Sequence, residues 1–325
     1  MRFEREIRLD AVVPPELAGS RLDVAAAELF PDYSRARLQK WIRSGELVVD
    51  GQASKPTLKV WGGESLQLAA VAHAEGEVYP QDIPLDVLHA DEDLLVLNKP
   101  VGLVVHPAAG NPDGTLQNAL LHFDPDLAAI PRAGIVHRLD KDTSGVMVVA
   151  RSLRAHASLV RQLQSRRMSR VYRAVACGAV VSGGTVDAPI GRHPRDRKRM
   201  AVVGSGKPAV SHFRVVQRFG GVTNVEVSLE SGRTHQIRVH MAHIGHPLVG
   251  DPIYGRQRCA RAELSAEQYE AIRAFPRQAL HAFRLKLAHP DGERSVNFTA
   301  PIPQDLAELL SCLEACKEAE SGEES

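Results

Sequence analysis

A polar run between two apolar segments is the strongest candidate for chemistry in this sequence. The run HRLDKDTSG occupies residues 137–145, after GIV and before VMVVA. A charged loop between two buried strands is a place where a rigid scaffold can present reactive groups. Asp140 could serve there as a nucleophile or as a general base. A tight turn in which Asp142 or Thr143 caps backbone amides would use the same residue types.

Resemblance to a known family favours the catalytic interpretation of this run. HRLDKDTSG resembles the signature of the RluA family of RNA pseudouridine synthases, and the likeness extends over nearly the whole chain. Other segments resemble parts of that family in the same order: LNKPVGLVVHPA (97–108), SRVYRAVACG (169–178), IGRHPRDRKRMAV (190–202), SGRTHQIRVHMAHIGHPLVGDPIYG (231–255) and RQALHAFRLKLAHP (277–290). The 190–202 segment resembles a basic loop of the ribosomal members. The implied substrate is therefore large-subunit (23S) ribosomal RNA, with the helix 69 loop as the implied target.

The resemblance implies isomerisation of uridine to pseudouridine, with Asp140 in the place of the family's essential aspartate. This reaction breaks the N-glycosidic bond, turns the uracil and joins C5 to C1′. A carboxylate beside the sugar could attack C1′ or remove the 2′ proton, and both routes suit an anionic aspartate. No cofactor is expected, because substrate and product are isomers.

Two further catalytic residues are implied by the same resemblance. Tyr172 matches the family's active-site tyrosine, whose ring could stack on the base and whose hydroxyl could join a proton transfer from C5. Arg233 matches the basic residue that pairs with the catalytic aspartate and would hold Asp140 ionised and oriented. Arg238 is the second candidate for that partner. Without the resemblance, Tyr172 would be interpreted as a tyrosine of a sheet core.

Arg138 and His137 are the candidates for RNA contact and base extrusion. Arg138 lies two residues before Asp140, so both side chains point to the same side of an extended loop. An enzyme that takes a base out of its stack can fill the gap with a planar cationic side chain, the role that the resemblance implies for Arg138. A structural salt bridge between Arg138 and Asp142 is the alternative.

Basic residues near the N-terminus predict a separate RNA-binding unit. Residues 20–30 and 34–45 are predicted to form two helices with Ser20 and Ser34 as N-caps, followed by a VVDG hairpin. This unit resembles an S4-type RNA-binding module, whose basic helix face lies on RNA phosphates; a solvated helix is the alternative. The predicted RNA-binding residues are Arg35, Arg37, Lys40 and Arg43 on the second helix, and Arg192, Arg195, Arg197, Lys198 and Arg199 in the 190–202 segment.

The order of predicted elements indicates an α+β fold. Extended segments are predicted at 1–10, 86–97, 101–106, 145–150, 171–180, 211–218, 223–230, 247–249 and 280–288, and a helix at 151–166. We expect a large mixed, mostly antiparallel sheet with flanking helices to carry the catalytic cleft, beside a small α/β S4-like domain. The predicted domains are an N-terminal arm (1–16), the S4-like domain (17–70), a linker (71–85), the catalytic domain (86–312) and an acidic disordered tail (313–325).

The charge of the chain is polarised, although its sum is close to zero. The 325 residues carry a formal net charge of +1, which by itself argues against a nucleic-acid binder. Residues 151–199, however, hold twelve Arg or Lys and two acids, a net charge of +10, whereas residues 314–325 carry −4. The basic segment flanks the tyrosine motif and predicts an RNA affinity that falls steeply with salt.

Several classes of protein are disfavoured by composition. No apolar run approaches the ~18–20 residues that span a bilayer, and the N-terminus lacks the apolar core of a secretory signal. Four cysteines do not make a disulfide framework, so a reducing cytoplasm is the simplest compartment. His235 and His240 lie in a strand-like run, and the histidines around them lack the spacing of a metal site, so no metal is expected.

Two other functions compete with the synthase interpretation. A non-catalytic RNA-binding factor of ribosome assembly would also carry an S4-like unit and basic segments. A hydrolase that used Asp140 would release free uracil. The residues together favour an enzyme, with ribosomal RNA as partner, no membrane association and a monomeric state.

Overall fold

Two compact units make up the chain, Met1–Tyr79 and Pro80–Ser325. The computed structural model describes residues 5–72, 78–108, 110–196, 199–255, 259, 261–292 and 294–322. The division between the units falls inside the predicted linker 71–85. The finer predicted boundaries (1–16, 17–70 and 86–312) stay predictions.

The N-terminal unit is a three-stranded antiparallel sheet packed with two helices. Its elements in chain order are β1 (Arg5–Val12), α1 (Leu22–Leu29), α2 (Arg35–Ser44), β2 (Leu47–Val49) and β3 (Ser65–Ala72). Strand β3 pairs with both β1 and β2. Leu66, Leu68 and Ala70 of β3 are buried and the residues between them are exposed, so one face of the sheet forms the core with the helices.

The limits of the two helices follow from local hydrogen bonds. The Ser34 hydroxyl accepts a hydrogen bond from the Arg37 amide at 3.4 Å, and Gly45 ends α2 in the left-handed region at φ 82°. Ser34 is thus confirmed as an N-cap. Ser20 is not one: the N-cap of α1 is Arg21, because the backbone of Ser20 bonds to Leu17 and Val60 instead.

The larger unit contains a nine-stranded mixed sheet, which confirms the predicted fold class. The strands of this unit in chain order are β4 (Val87–Ala90), β5 (Leu94–Lys99), β6 (Ser144–Ala150), β7 (Ser169–Cys177), β8 (Gly184–Asp187), β9 (Ile190–Arg192), β10 (Met200–Val202), β11 (Val210–Arg218), β12 (Val222–Leu229), β13 (Leu280–Ala288) and β14 (Ser295–Thr299). The sheet order is β4-β5-β6-β13-β7-β12-β11-β8, with β14 also beside β13, and β9 and β10 form a separate hairpin. Strands β6 and β13 pair in parallel, and the other described pairs are antiparallel.

In the described part of this unit there are five α-helices, and one of them differs from its prediction. They are α3 (Leu116–Phe123), α4 (Leu153–Gln164), α5 (Gln236–His243), α6 (Ala266–Ala274) and α7 (Gln304–Gly322). Helix α4 confirms the helix predicted at 151–166. The strand-like interpretation of His235–His240 is wrong, because Ile237, Val239 and Met241 alternate with polar residues in a helix that is buried all round. Such a helix carries no one-sided apolar stripe.

Two predicted extended segments and the predicted tail also differ from the structure. Residues 101–106 and 247–249 form only isolated bridges, Val104 with Thr115 and Leu248 with Ala176. Helix α7 continues to Gly322, so residues 313–322 are helical rather than disordered. The apolar side chain of Leu313 is buried in a cluster that anchors this helix.

A disulfide joins Cys177 at the end of β7 to Cys259, with Cα atoms 4.9 Å apart. The cysteine count did not predict this bond, because the two residues are 82 positions apart in sequence. Among the described residues, no helix is both long and apolar enough to cross a membrane.

Candidate active site

The signature loop is fixed by the close approach of β6 to β13. Gly145 lies beside Ala282 in the parallel pairing, at φ 116°. A Cβ atom on Gly145 would lie 2.2 Å from the Ala282 carbonyl oxygen, so only glycine fits there. This contact sets the point at which the loop that carries Asp140 enters the sheet.

Residues 277–281 hold the rest of the loop in place. Arg277 Nη1 donates to the Asp142 carbonyl oxygen at 3.1 Å, and Gln278 Nε2 donates to Thr143 Oγ1 at 3.1 Å. The Ser144 hydroxyl and His281 Nδ1 are hydrogen-bonded at 2.9 Å. The last resemblance segment therefore serves as the support of the signature loop, a role that the sequence did not reveal.

Lys99 is a buried cation beneath the same loop. It is 1% exposed, and its ammonium group donates to the carbonyl oxygens of Pro100, Leu103 and Lys141 at 2.6, 2.9 and 3.0 Å. Burial lowers the pKa of Lys99 to about 8, although the negative charges of Asp142 and Asp140 act to raise it. Lys99 thus links the LNKP turn to the signature loop.

The partner of Asp140 is Arg238, and the prediction of Arg233 for this place is wrong. Arg238 Nη1 lies 3.0 Å from Asp140 Oδ2. Arg233 is exposed, and its Nε donates to the Pro208 carbonyl oxygen at 3.2 Å. The reason is the missed helix: α5 begins after residue 235 and directs Arg238, not Arg233, to the loop.

A second carboxylate fixes the Arg238 guanidinium. Asp251 Oδ2 accepts from Arg238 Nε at 2.7 Å, and Asp251 Oδ1 accepts from Nη2 at 3.0 Å. Burial alone would raise the pKa of Asp251, but the hydrogen bonds and charge of Arg238 outweigh it and lower that pKa. Burial disfavours the charged form of Arg238 and by itself would lower its pKa. The neighbouring carboxylates of Asp251 and Asp140 outweigh burial and raise the pKa of the guanidinium. The arginine therefore stays charged and presents one Nη group to Asp140.

His235 approaches the other oxygen of the Asp140 carboxylate, and Tyr254 is hydrogen-bonded to His235. His235 Nε2 is 3.9 Å from Asp140 Oδ1, and its Nδ1 is 2.9 Å from the Tyr254 hydroxyl. That hydroxyl also accepts the Met200 amide at 2.9 Å. Burial lowers the pKa of His235, with the charge of Asp140 opposing it, so the imidazole is neutral at neutral pH.

Tyr172 lies on β7 with 6% of its surface exposed. Burial raises the pKa of its phenol, the charge of Arg170 opposes this, and the charge of Asp140 adds to it. Tyr172 thus lies within electrostatic range of Asp140, and its catalytic role stays a prediction. The Tyr172 hydroxyl has no hydrogen-bond partner in the described part of the chain.

His137 and Arg138 have different surroundings. His137 Nε2 accepts the Val148 amide at 3.1 Å, and burial together with the charge of Arg170 lowers the pKa of His137 to about 3. The neutral imidazole therefore pins the loop to β6, and this geometry does not support its prediction as a base-extruding residue. Arg138 is exposed and forms no salt bridge with Asp142 in the described structure, which leaves its guanidinium available to a ligand.

The predicted RNA-binding segment 190–202 contacts the site through its β9–β10 hairpin. The Arg199 guanidinium lies 5.4 Å from the centre of the Tyr254 ring. Arg192 and Arg195 are exposed. Arg197 and Lys198 lie outside the described residues.

Two residues of the predicted basic face of α2, Arg35 and Arg37, contact side chains of the N-terminal unit itself. Arg35 Nη2 lies 2.8 Å from the buried carboxylate of Asp23, and the Arg37 guanidinium lies 5.7 Å from the Trp41 ring centre. Lys40 and Arg43 are exposed.

The site offers an ionisable carboxylate beside a fixed cation, a phenol and a neutral imidazole. The Asp140 side chain is 17% exposed, so it can reach a ligand while Arg238 orients it. No group of three or more possible metal ligands occurs among the described residues. Such a site suits nucleophilic or acid–base chemistry at a carbon centre.

Comparison with known proteins identifies several relatives. The family model described as RNA pseudouridylate synthase matches residues 93–243. A protein of Pseudomonas aeruginosa named ribosomal large subunit pseudouridine synthase D is 55% identical over 96% of this chain and 98% of its own length. The protein of the same name from Escherichia coli K12 is 52% identical, with 96% of each chain covered.

Two solved human structures share the fold of the larger part of the chain. RNA pseudouridylate synthase domain containing 1 has a TM-score of 0.52 at 27% identity and covers 72% of this chain and 96% of its own. RNA pseudouridylate synthase domain containing 4 has a TM-score of 0.55 at 26% identity, with 70% and 93% covered.

Proposed function

The chain belongs to the RluA family of RNA pseudouridine synthases, and from this premise we propose that it modifies specific uridines in large-subunit (23S) ribosomal RNA. The two relatives described above are named ribosomal large subunit pseudouridine synthase D and align along nearly the full length of this chain. We propose the loop of helix 69 as the target, on the resemblance to the ribosomal members.

The observation that carries this proposal is the Asp140 carboxylate, which Arg238 holds at 3.0 Å within electrostatic range of the Tyr172 phenol. Arg238 keeps Asp140 oriented, and Asp251 keeps Arg238 oriented. A carboxylate positioned in this way loses little freedom when it meets a substrate. Arg238 takes the role that the sequence assigned to Arg233.

Two reaction routes fit this geometry. In the first, an Asp140 oxygen bonds to C1′ as the N1–C1′ bond breaks, and C5 of the turned uracil then displaces the carboxylate. In the second, Asp140 removes the 2′ proton, the uracil leaves, and the proton returns to C2′ after C5 joins C1′. Both routes end when C5 gives up its proton and N1 gains one, so no outside group is consumed.

Tyr172 and Arg138 complete the proposed reaction. The uracil must leave the RNA stack to reach Asp140, and we assign the vacated space to the exposed Arg138 guanidinium. The Tyr172 ring would lie against the turned base, and its hydroxyl would take part in the transfer of the C5 proton.

Release of tritium from [5-³H]uridine in ribosomal RNA tests the proposal. Wild type should release tritium and Asp140→Asn should not, with RNA affinity retained because phosphate contacts lie elsewhere. Asp126→Asn, at an exposed turn, is the matched control and should act like wild type. Equal release by Asp140→Asn and wild type, or no release from any ribosomal RNA, would refute it. Sequencing of the modified sites then identifies the loop.

A second role in ribosome assembly is suggested by the separate N-terminal unit with exposed Lys40 and Arg43. Such a role predicts that Asp140→Asn, although inactive, rescues the growth defect of a deletion strain. An enzyme that acts on ribosomal RNA is expected in the cytoplasm, where ribosomes form.

A further inference from the structure

Arg170 is a buried cation that has no hydrogen-bond or salt-bridge partner among the described residues. The residue is 7% exposed, and its Nε is enclosed and makes no hydrogen bond. Among the residues that the structure describes, no carboxylate, carbonyl or hydroxyl bonds to any part of its guanidinium.

This isolation is unusual within the same molecule. Arg238 is bonded to Asp251 at 2.7 Å, and Arg277 to Asp305 at 2.6 Å. On the same strand as Arg170, Arg173 lies 3.5 Å from Glu226. A buried charge without a partner costs several kcal/mol, since protein groups replace none of its lost hydration. An unpaired guanidinium is therefore expected to meet an anion that the free protein lacks.

The position of Arg170 is on the active-site side of the sheet. Arg170 and Tyr172 are two residues apart on β7, so both side chains lie on one face. The charge of Arg170 lowers the pKa of both Tyr172 and His137, so its guanidinium lies within electrostatic range of the tyrosine and of the signature loop.

The backbone at Gly232 lies close to this guanidinium. A Cβ atom on Gly232 would lie 2.7 Å from Arg170 Nη1, so a side chain at this position would push the end of the Arg170 side chain aside. A backbone that packs so close, without bonding to the cation, leaves the planar donors of Arg170 for a ligand.

We propose that Arg170 forms an anion subsite that binds one phosphodiester of the RNA strand next to the target uridine. The inference rests on the proposed function, because it assumes that the ligand is RNA. A phosphodiester carries a full charge and two oxygens that match the guanidinium fork, whereas a uracil carbonyl would leave the charge uncompensated. Arg170 would thus fix the strand while Arg138 fills the gap in the stack.

Substitution of Arg170 tests the subsite, with Arg173 as a matched control on the opposite face of β7. Arg170→Gln should weaken binding of a helix 69 hairpin roughly tenfold or more. It should also flatten the plot of log affinity against log salt by about 0.7, the value of one contact to single-stranded RNA. Arg173→Gln, which removes the same charge, should leave both quantities unchanged.

Thermal unfolding separates binding from a structural role. Because Arg170 has no protein partner, Arg170→Gln should melt at or above the wild-type temperature, while Arg173→Gln should melt lower because Glu226 loses a partner. Arg170→Lys should keep the salt slope. A large drop in melting temperature for Arg170→Gln with an unchanged salt slope would overturn the subsite.

Neutral methylphosphonates, placed one at a time around the target uridine, identify the phosphate. At one position the methylphosphonate should lower the RNA affinity of wild type, while the affinity of Arg170→Gln should not fall any further. Equal costs in both proteins at every position would show that Arg170 contacts a base or no RNA at all. These outcomes concern binding, so they are distinct from failure of wild type to release tritium, which would refute the proposed reaction itself.

Discussion

Asp140 and Asp251 bind the same guanidinium from different sides. Asp251 occupies Nε and Nη2 of Arg238 at 2.7 and 3.0 Å, and Asp140 meets Nη1 at 3.0 Å. The buried Asp251 therefore determines the direction from which the arginine can hold the Asp140 carboxylate. Arg238 cannot turn toward another acid without breaking two hydrogen bonds.

Asp251→Asn should reduce turnover by roughly 10²-fold, because displacing a reacting group by about 1 Å lowers the rate by that factor. The hairpin affinity should stay unchanged, since Asp251 is shielded from RNA. Turnover is measured by tritium release under saturating substrate, and affinity by filter binding. Asp93→Asn is the control: Asp93 is also buried and paired, with Arg154 at 2.6 Å. Equal losses of turnover per folded molecule in both variants would contradict a positioning role for Asp251.

His137 should make the fold sensitive to acid. Its pKa is about 3 in the folded protein, while the unfolded chain takes up the proton near the ordinary value of about 6.5. Between these values the unfolded state binds more protons, so the free energy of unfolding falls as the pH is lowered, by about 1.4 kcal/mol per pH unit for one proton.

Urea unfolding at a series of pH values measures this effect. His137→Gln should reduce the slope between pH 4 and pH 6 by roughly one proton. His122→Gln, at an exposed histidine, should leave the slope as in wild type. A slope in His137→Gln that equals that of wild type would show that the His137 imidazole is not the buried neutral group.

Gly145→Ala should destabilise the larger unit by roughly 3 kcal/mol or more, the range of severe backbone clashes. The added methyl group would meet the Ala282 carbonyl oxygen at 2.2 Å, and φ 116° is strained for alanine. Gly204→Ala has open space and should unfold like wild type. Denaturation followed by circular dichroism compares the two variants.

Arg35 and Arg43 should separate stability from RNA binding in the N-terminal unit. Burial alone would raise the pKa of Asp23, but hydrogen bonds from Arg21, Gln39 and Arg35 lower it to about 2. Arg35→Gln weakens this network and should cost the unit about 1–3 kcal/mol. Arg43→Gln should leave unfolding unchanged and weaken RNA binding. The reverse pattern would mean that Arg35, not Arg43, faces the RNA.

The residues that bear the signature could be predicted, whereas those that support it could not. Asp140 and Tyr172 stand in segments whose types and order carry the resemblance. Arg238 was ranked below Arg233 because α5 has no apolar stripe to reveal it as a helix, and only the helix decides which arginine faces the loop. Lys99, Arg277 and His281 are far away in sequence, and their role depends on which strands are neighbours. The disulfide between Cys177 and Cys259 was hidden for the same reason.

The loop that carries Asp140 is held by residues that the ribosome makes much later. Arg277 follows Asp142 by 135 positions, and His281 follows Ser144 by 137. Contacts of such high sequence separation close late in folding, since the intervening chain must first be ordered. A nascent chain that has emerged only to β12 holds the whole signature but no fixed active site, while the N-terminal unit can already fold. Catalytic competence is therefore one of the last properties this enzyme acquires during its synthesis.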